Sequence, residues 1–226
     1  MSSPRTLVGP LAIVILLLVG VALRPAPSAA VRDGDGARYR LHDGASAFAG
    51  ARVLPAGGEL RFAAGIAPSD EQVVRSAIAE VRPQARALVE LVAGLVTISL
   101  GRPGPALAGV TRSSDAGYAV ELDLAGVYRA LGMRGVRRLV LHELAHVVDD
   151  ALVPAEMEAT LDAATPPGFG CDDGISGGCA ARAERFAESF AKWATGDIGA
   201  DLSIGYRVPP PLSIAGWGDP LGALVR

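Results

Sequence analysis

Apolar residues recur at helical spacing from Ser69 to about Ala93, through Val73, Val74, Ala77, Ile78, Val81, Leu88, Leu91 and Val92. Ser69-Asp70-Glu71-Gln72 supplies a helix start, and Pro83 is expected to kink that helix or divide it. The run Leu95–Leu100 is rich in β-branched residues and is closed by Gly101, Pro103, Gly104 and Pro105, which predicts a strand followed by a loop. Gly117–Leu124 alternates Tyr118, Val120, Leu122 and Leu124 with Ala119, Glu121 and Asp123, the pattern of a half-buried strand. Helical spacing returns from Arg134 to about Leu152, and again from Ala180 to about Thr195, where Gly196 ends the helix. Between them Thr165-Pro166-Pro167-Gly168 breaks the chain. Upstream, Val31 to about Ala67 is turn-rich, with short strand candidates at Arg38–Leu41 and Glu59–Ala63. The tail from Asp197 is rich in Gly and Pro and includes Pro209-Pro210-Pro211, so it reads as irregular. These elements predict an α+β domain over 31–226, with a core at about 68–197 and an irregular C-terminal tail at 198–226. No internal repeat is visible.

The first 30 residues follow a different pattern. Arg5 precedes an apolar run from Leu7 to Leu23, then Pro25, Pro27 and the small-residue sequence Ser28-Ala29-Ala30. This is the layout of a signal peptide cleaved near Ala30, with a mature start near Val31. An apolar run of this length is at the short edge of what spans a bilayer, so an N-terminal membrane anchor through residues 7–23 is the alternative. Either reading places the domain outside the cytoplasm. Cys171 and Cys179 are the only two cysteines and bound a Gly-rich loop, and in an exported protein this predicts a disulfide. Removing Arg5 and Arg24 with the leader leaves 19 basic against 24 acidic residues, a balance of −5. A mildly acidic domain without a basic stripe is a poor nucleic-acid binder. Lys192 is the only lysine among the 21 basic residues.

The candidate chemistry lies in Val140-Leu141-His142-Glu143-Leu144-Ala145-His146-Val147-Val148, a His-Glu-x-x-His sequence in an apolar helical setting. A spacing of four brings two imidazoles to one helix face about 40° apart, so two nitrogens can reach one ion. Glu143 lies about 100° round from His142, beside the pair, where a carboxylate can take a proton from water on the metal. Leu141, Leu144 and Val148 supply packing on the opposite face. Two of the three histidines of the chain stand in this one motif.

A catalytic zinc needs a third protein ligand and an open position for water. A third histidine six residues on is excluded, because that position is Leu152. Three carboxylates compete for the place: Glu184 and Glu188, which share one face of the last predicted helix, and Asp149, three residues past His146. Asp149 is short and points along its own helix. It is better placed to accept a hydrogen bond from a histidine N–H, or to pair with an arginine on a neighbouring element.

Leu141-His142-Glu143-Leu144-Ala145-His146-Val147-Val148-Asp149-Asp150 and Glu184-Arg185-Phe186-Ala187-Glu188-Ser189-Phe190 together resemble the gluzincin metallopeptidases. Within that group they resemble the catalytic domain of anthrax lethal factor and the related Pro-Pro endopeptidases. The resemblance covers two short blocks. It implies a zincin-like fold with one Zn²⁺, held by His142, His146 and Glu184, with Glu143 as general base and Glu188 in the shell behind the ligands. The implied activity is hydrolysis of a peptide or protein substrate. The related enzymes carry a tyrosine shortly before the third-ligand helix, and this chain has the cysteine loop there instead. Tyr206 and Arg182 are the candidates to replace it. The rival readings are a catalytically silent metal-binding or peptide-binding envelope protein and a membrane-anchored assembly factor with a vestigial site. Retention of Glu143 argues against the first, since a structural metal site needs ligands but no base, and the second would gain if residues 1–30 stay attached and no cleavage is seen.

Overall fold

Pro83 divides the first helical run rather than kinking it. The computed structural model describes residues 57–104, 107–168, 180–199 and 207–225. In it α1 spans Pro68–Ala79 and α2 spans Pro83–Val92, each opening on a proline where the missing N–H leaves no bond unmade. The predicted leader, its apolar run 7–23, the strand candidate at 38–41, Cys171, Cys179 and Tyr206 lie outside the described residues. Among the described residues no helix is long and apolar enough to cross a membrane.

Four strands form one mixed sheet: β1 at Arg61–Phe62, β2 at Val96–Leu100, β3 at Gly109–Ser114 and β4 at Gly117–Leu122, in the order β1-β2-β4-β3. The pairs β1–β2 and β2–β4 are parallel, and β3 returns antiparallel to β4. Both edges of β4 are therefore filled, and among the described residues the strand at the sheet's end is β3, where the sequence indicates only loop. β4 stops two residues short of its predicted end, because Asp123 caps the next helix by accepting from the Gly126 N–H at 2.7 Å.

That helix, α3, spans Leu124–Leu152 and is interrupted at Gly132, whose φ of 63° and ψ of −164° are not helical. The predicted start at Arg134 thus falls just after the break, and residues 124–131 form a helical segment of their own. Two further helices follow: α4 at Ala155–Ala163, unforeseen in the sequence, and α5 at Arg182–Thr195, closed by Gly196 at a φ of 69°.

The tail is not irregular throughout. Ile214–Ala223 forms α6, capped by Ser213, despite three glycines and Pro220. Its Gly218 lies so close to Trp193 of α5 that a Cβ there would stand 1.9 Å from the indole nitrogen. Glycine in this helix is a packing requirement, which is why a propensity reading discards it. Trp217 completes the junction by donating to Thr165 Oγ1 at 2.9 Å.

Residues 140–148 of α3 sit in the middle of the core. Val140, Leu141, Leu144, Ala145, Val147 and Val148 are all buried, covering more of the helix than the single packing face expected. A helix enclosed on all sides must bury its polar residues too, and His142, Glu143, His146 and Asp149 are buried with it.

Candidate metal centre

α3 and α5 pack against each other more extensively than any other pair of helices, and their shared face carries the polar cluster. One ligand atom each from His142, His146 and Glu184 can be chosen so that all lie within 4.8 Å of one another. His142 Nε2 is 3.2 Å from Glu184 Oε2, and His146 Nε2 is 3.6 Å from Glu184 Oε1. The two imidazoles stand nearly edge to face, at 81°, with ring centres 5.1 Å apart.

These distances fit an ion among the three side chains. Donors about 2.0–2.1 Å from a tetrahedral ion lie roughly 3.3–3.4 Å from one another. Glu184 Oε1 is buried and accepts no hydrogen bond among the described residues, with His146 Nε2 beyond hydrogen-bond distance at 3.6 Å, so its lone pairs face the cluster without a close donor. Two imidazoles and a carboxylate are also a donor set suited to divalent transition metals.

Around this triangle the remaining predicted residues take separate places. Glu188 Oε2 lies 3.3 Å from His142 Nδ1, on the side of the ring away from Glu184. Of the two roles open to Asp149, the arginine pair is present: Arg182 donates to both its oxygens, at 3.1 and 2.6 Å. The Nε of Arg182 turns to Glu158 at 2.9 Å. All three nitrogens of Arg182 are thus engaged with carboxylates, which leaves it poorly placed to replace the missing tyrosine.

Glu143 meets β3. Thr111 Oγ1 stands 2.8 Å from Glu143 Oε2 and 3.0 Å from its main-chain carbonyl. A Cβ on Gly109 would lie 2.5 Å from Glu143 Oε1, so only glycine lets the strand approach this closely. Burial pushes the Glu143 carboxyl up to about 7, against the opposing pull of His142 and the Thr111 hydroxyl. A carboxyl poised near neutrality is suited to taking and returning a proton. Burial acts to lower His142, but its hydrogen bonds to Glu184 and Glu188 prevail and raise it to about 10. For Glu184 burial acts upward, and the His142 bond with the two imidazole charges brings it below the usual carboxylate range.

Sequence reasoning missed four residues of this region: Gly109, Thr111, Arg138 and Lys192. Arg138 donates to Glu188 Oε1 at 2.7 Å, and Lys192 to the same oxygen at 2.8 Å. Both were within reach of a helical wheel drawn one turn further. Arg138 precedes His142 by four residues and Lys192 follows Glu188 by four.

No protein family, curated protein or solved structure matches the chain. Fold and site together define an α+β protein with a small mixed sheet and a buried His142-His146-Glu184 group able to bind a metal ion.

Proposed function

We propose that the chain is an extracytoplasmic zinc-dependent endopeptidase of the gluzincin type, with a zincin-like fold. The observation that carries this reading is the donor triangle of His142, His146 and Glu184, with Glu143 following His142 on the same buried helix. Zinc is the metal this donor set favours in a hydrolytic site. When bound, the ion would polarise a peptide carbonyl and acidify a water molecule. Glu143 accepts a proton from the attacking water and delivers it to the leaving amine. Glu188 accepts from the Nδ1–H of His142 and so directs its Nε2 at the ion, which would displace the proton carried there.

The strand β3 borders the site, because it runs past Glu143 at Gly109 and Thr111. An extended peptide adding to its outer edge would pass its carbonyls beside the same residues. Export, with a Cys171–Cys179 disulfide, is proposed from the sequence alone. The test is hydrolysis of a mixed peptide library by purified protein, with and without chelator, beside Glu143→Gln. The parent should cleave in a chelator-sensitive way, and Glu143→Gln should keep its zinc and lose about 10²- to 10⁴-fold in rate. A zinc-loaded parent that cleaves nothing would instead identify a silent metal-binding or peptide-binding protein.

A further inference from the structure

Glu188 is faced by more positive charge than its neutralisation requires. Arg138, on α3, and Lys192, on α5, are each only 1% exposed and both donate to Glu188 Oε1. One cation would balance the carboxylate, and burying a second is costly unless it does something besides. Each is also tied elsewhere. Arg138 Nη1 donates to the Asp197 carbonyl at 2.6 Å, and Lys192 Nζ to the Val208 carbonyl at 2.7 Å. The two cations are therefore held in place by main chain, independently of the carboxylate they share.

Their effect on that carboxylate is geometric. With two donors converging on Oε1 from different helices, the group cannot rotate without breaking a charged hydrogen bond. The remaining oxygen, Oε2, is left facing His142 Nδ1 at 3.3 Å, with Arg138 Nε alongside at 3.4 Å. With Nδ1 turned onto a fixed acceptor, the ring presents its other nitrogen, Nε2, to the ligand triangle, where it faces Glu184 at 3.2 Å.

We propose that Lys192 and Arg138 are positioning residues of the metal site: by occupying Glu188 Oε1 together they turn Oε2 onto His142 and fix that ring as a ligand. The inference rests on the metal-binding part of the proposed function. It extends the site by one helical turn in each direction, and it gives the only lysine of the chain a task.

The test is a competition titration of zinc against a chromophoric chelator, using the full chain as parent, Lys192→Met, Glu188→Ala and the double variant. Lys192→Met should bind zinc about tenfold more weakly, and Glu188→Ala about 10- to 100-fold more weakly. The double variant should bind no more weakly than Glu188→Ala alone, because Lys192 acts through Glu188. A purely structural lysine, tied to the Val208 carbonyl, would leave zinc affinity unmoved or add its loss to that of Glu188→Ala. Affinity of Lys192→Met equal to or tighter than the parent's, or additive losses, overturns the proposal and leaves the proposed function standing. A folded parent that binds no zinc removes the proposed function and this inference with it. If circular dichroism shows that Lys192→Met does not fold, Arg138→Gln takes its place in the same cycle, with the same two outcomes.

Discussion

Thr111 Oγ1 lies 2.8 Å from Glu143 Oε2, joining the end strand of the sheet to the candidate base. The hydroxyl has one proton and two acceptors in reach, the carboxylate and the Glu143 carbonyl at 3.0 Å. It can therefore donate to an ionised Glu143, or turn to the carbonyl and accept from a protonated one. The carboxylate keeps a partner in both states. Loss of that partner should leave the metal in place and impair catalysis. Thr111→Val is expected to keep full zinc content and to lose about tenfold in kcat, a general-base contribution only partly removed. Thr111→Ser should recover it. Unchanged kcat in Thr111→Val would separate β3 from the chemistry.

Gly109 makes a sharper version of the same point. A methyl there would overlap Glu143 Oε1 and its Cγ, at 2.5 and 2.7 Å from the new Cβ. The carboxylate must move, and a displacement near 1 Å in an active site costs on the order of 10²-fold in rate. Gly109→Ala should therefore lose about 10²-fold in peptide hydrolysis at unchanged zinc stoichiometry, read by metal analysis beside the rate. Parental activity would show that Glu143 has room to yield.

The three carboxylates that compete in the sequence are separated by their partners. Glu184 faces both imidazoles, Glu188 only the far nitrogen of His142, and Asp149 is held by Arg182. Glu184→Ala should abolish stoichiometric zinc, whereas Glu188→Ala should weaken its affinity by about 10- to 100-fold. Asp149→Ala should cost some folding stability through the lost pair with Arg182, which keeps Glu158, while retaining zinc. Full zinc in Glu184→Ala beside an empty Glu188→Ala would reverse the assignment.

Metal binding should depend steeply on pH. His142 is raised from 6.5 to about 10, since burial, which lowers it, is outweighed by the bonds to Glu184 and Glu188. Below the raised value the apoprotein carries a proton that the ion must displace. Binding at neutral pH should thus release about one proton from His142, and apparent affinity should rise about tenfold per pH unit toward pH 10. The same proton stabilises the folded apoprotein. Because the folded value is the higher one, that contribution is complete below pH 6.5 and is lost as pH rises to about 10. Calorimetry in buffers of different ionisation enthalpy counts the protons. Release close to zero at pH 7 would mean that His142 is neutral before the metal arrives.

The parts of this site that could be read in the sequence are those whose geometry is local. His142, Glu143 and His146 fall within five residues of one helix, and Glu184 and Glu188 within five of another, so the helical period alone orders them. β3 could not be read in this way. Its Thr111 is polar and yet buried, because it faces a carboxylate, and Gly109 has no side chain because Glu143 fills the space. A strand whose inward face is built for a polar partner breaks the alternation by which strands are recognised. α4 escaped for a simpler reason, since Leu161 is its only fully buried residue and leaves no apolar stripe.

The packing of α6 yields a prediction in which two rules oppose each other. Gly218 is in a helix, where alanine is ordinarily preferred and Gly→Ala stabilises by roughly 0.5–1 kcal/mol. Here, however, the added Cβ would lie 1.9 to 2.3 Å from three atoms of the Trp193 indole. Trp193 cannot retreat freely: it is 2% exposed, it packs edge to face on Phe190, and the Arg82 guanidinium stands over its ring at 4.9 Å. Overpacking of this kind costs about 1–3 kcal/mol, more than propensity returns. Gly218→Ala should therefore lower the unfolding midpoint. Because α6 touches α5 opposite the cluster, zinc stoichiometry should remain at the parental value. A midpoint raised by the substitution would show that α6 does not dock against Trp193 as described.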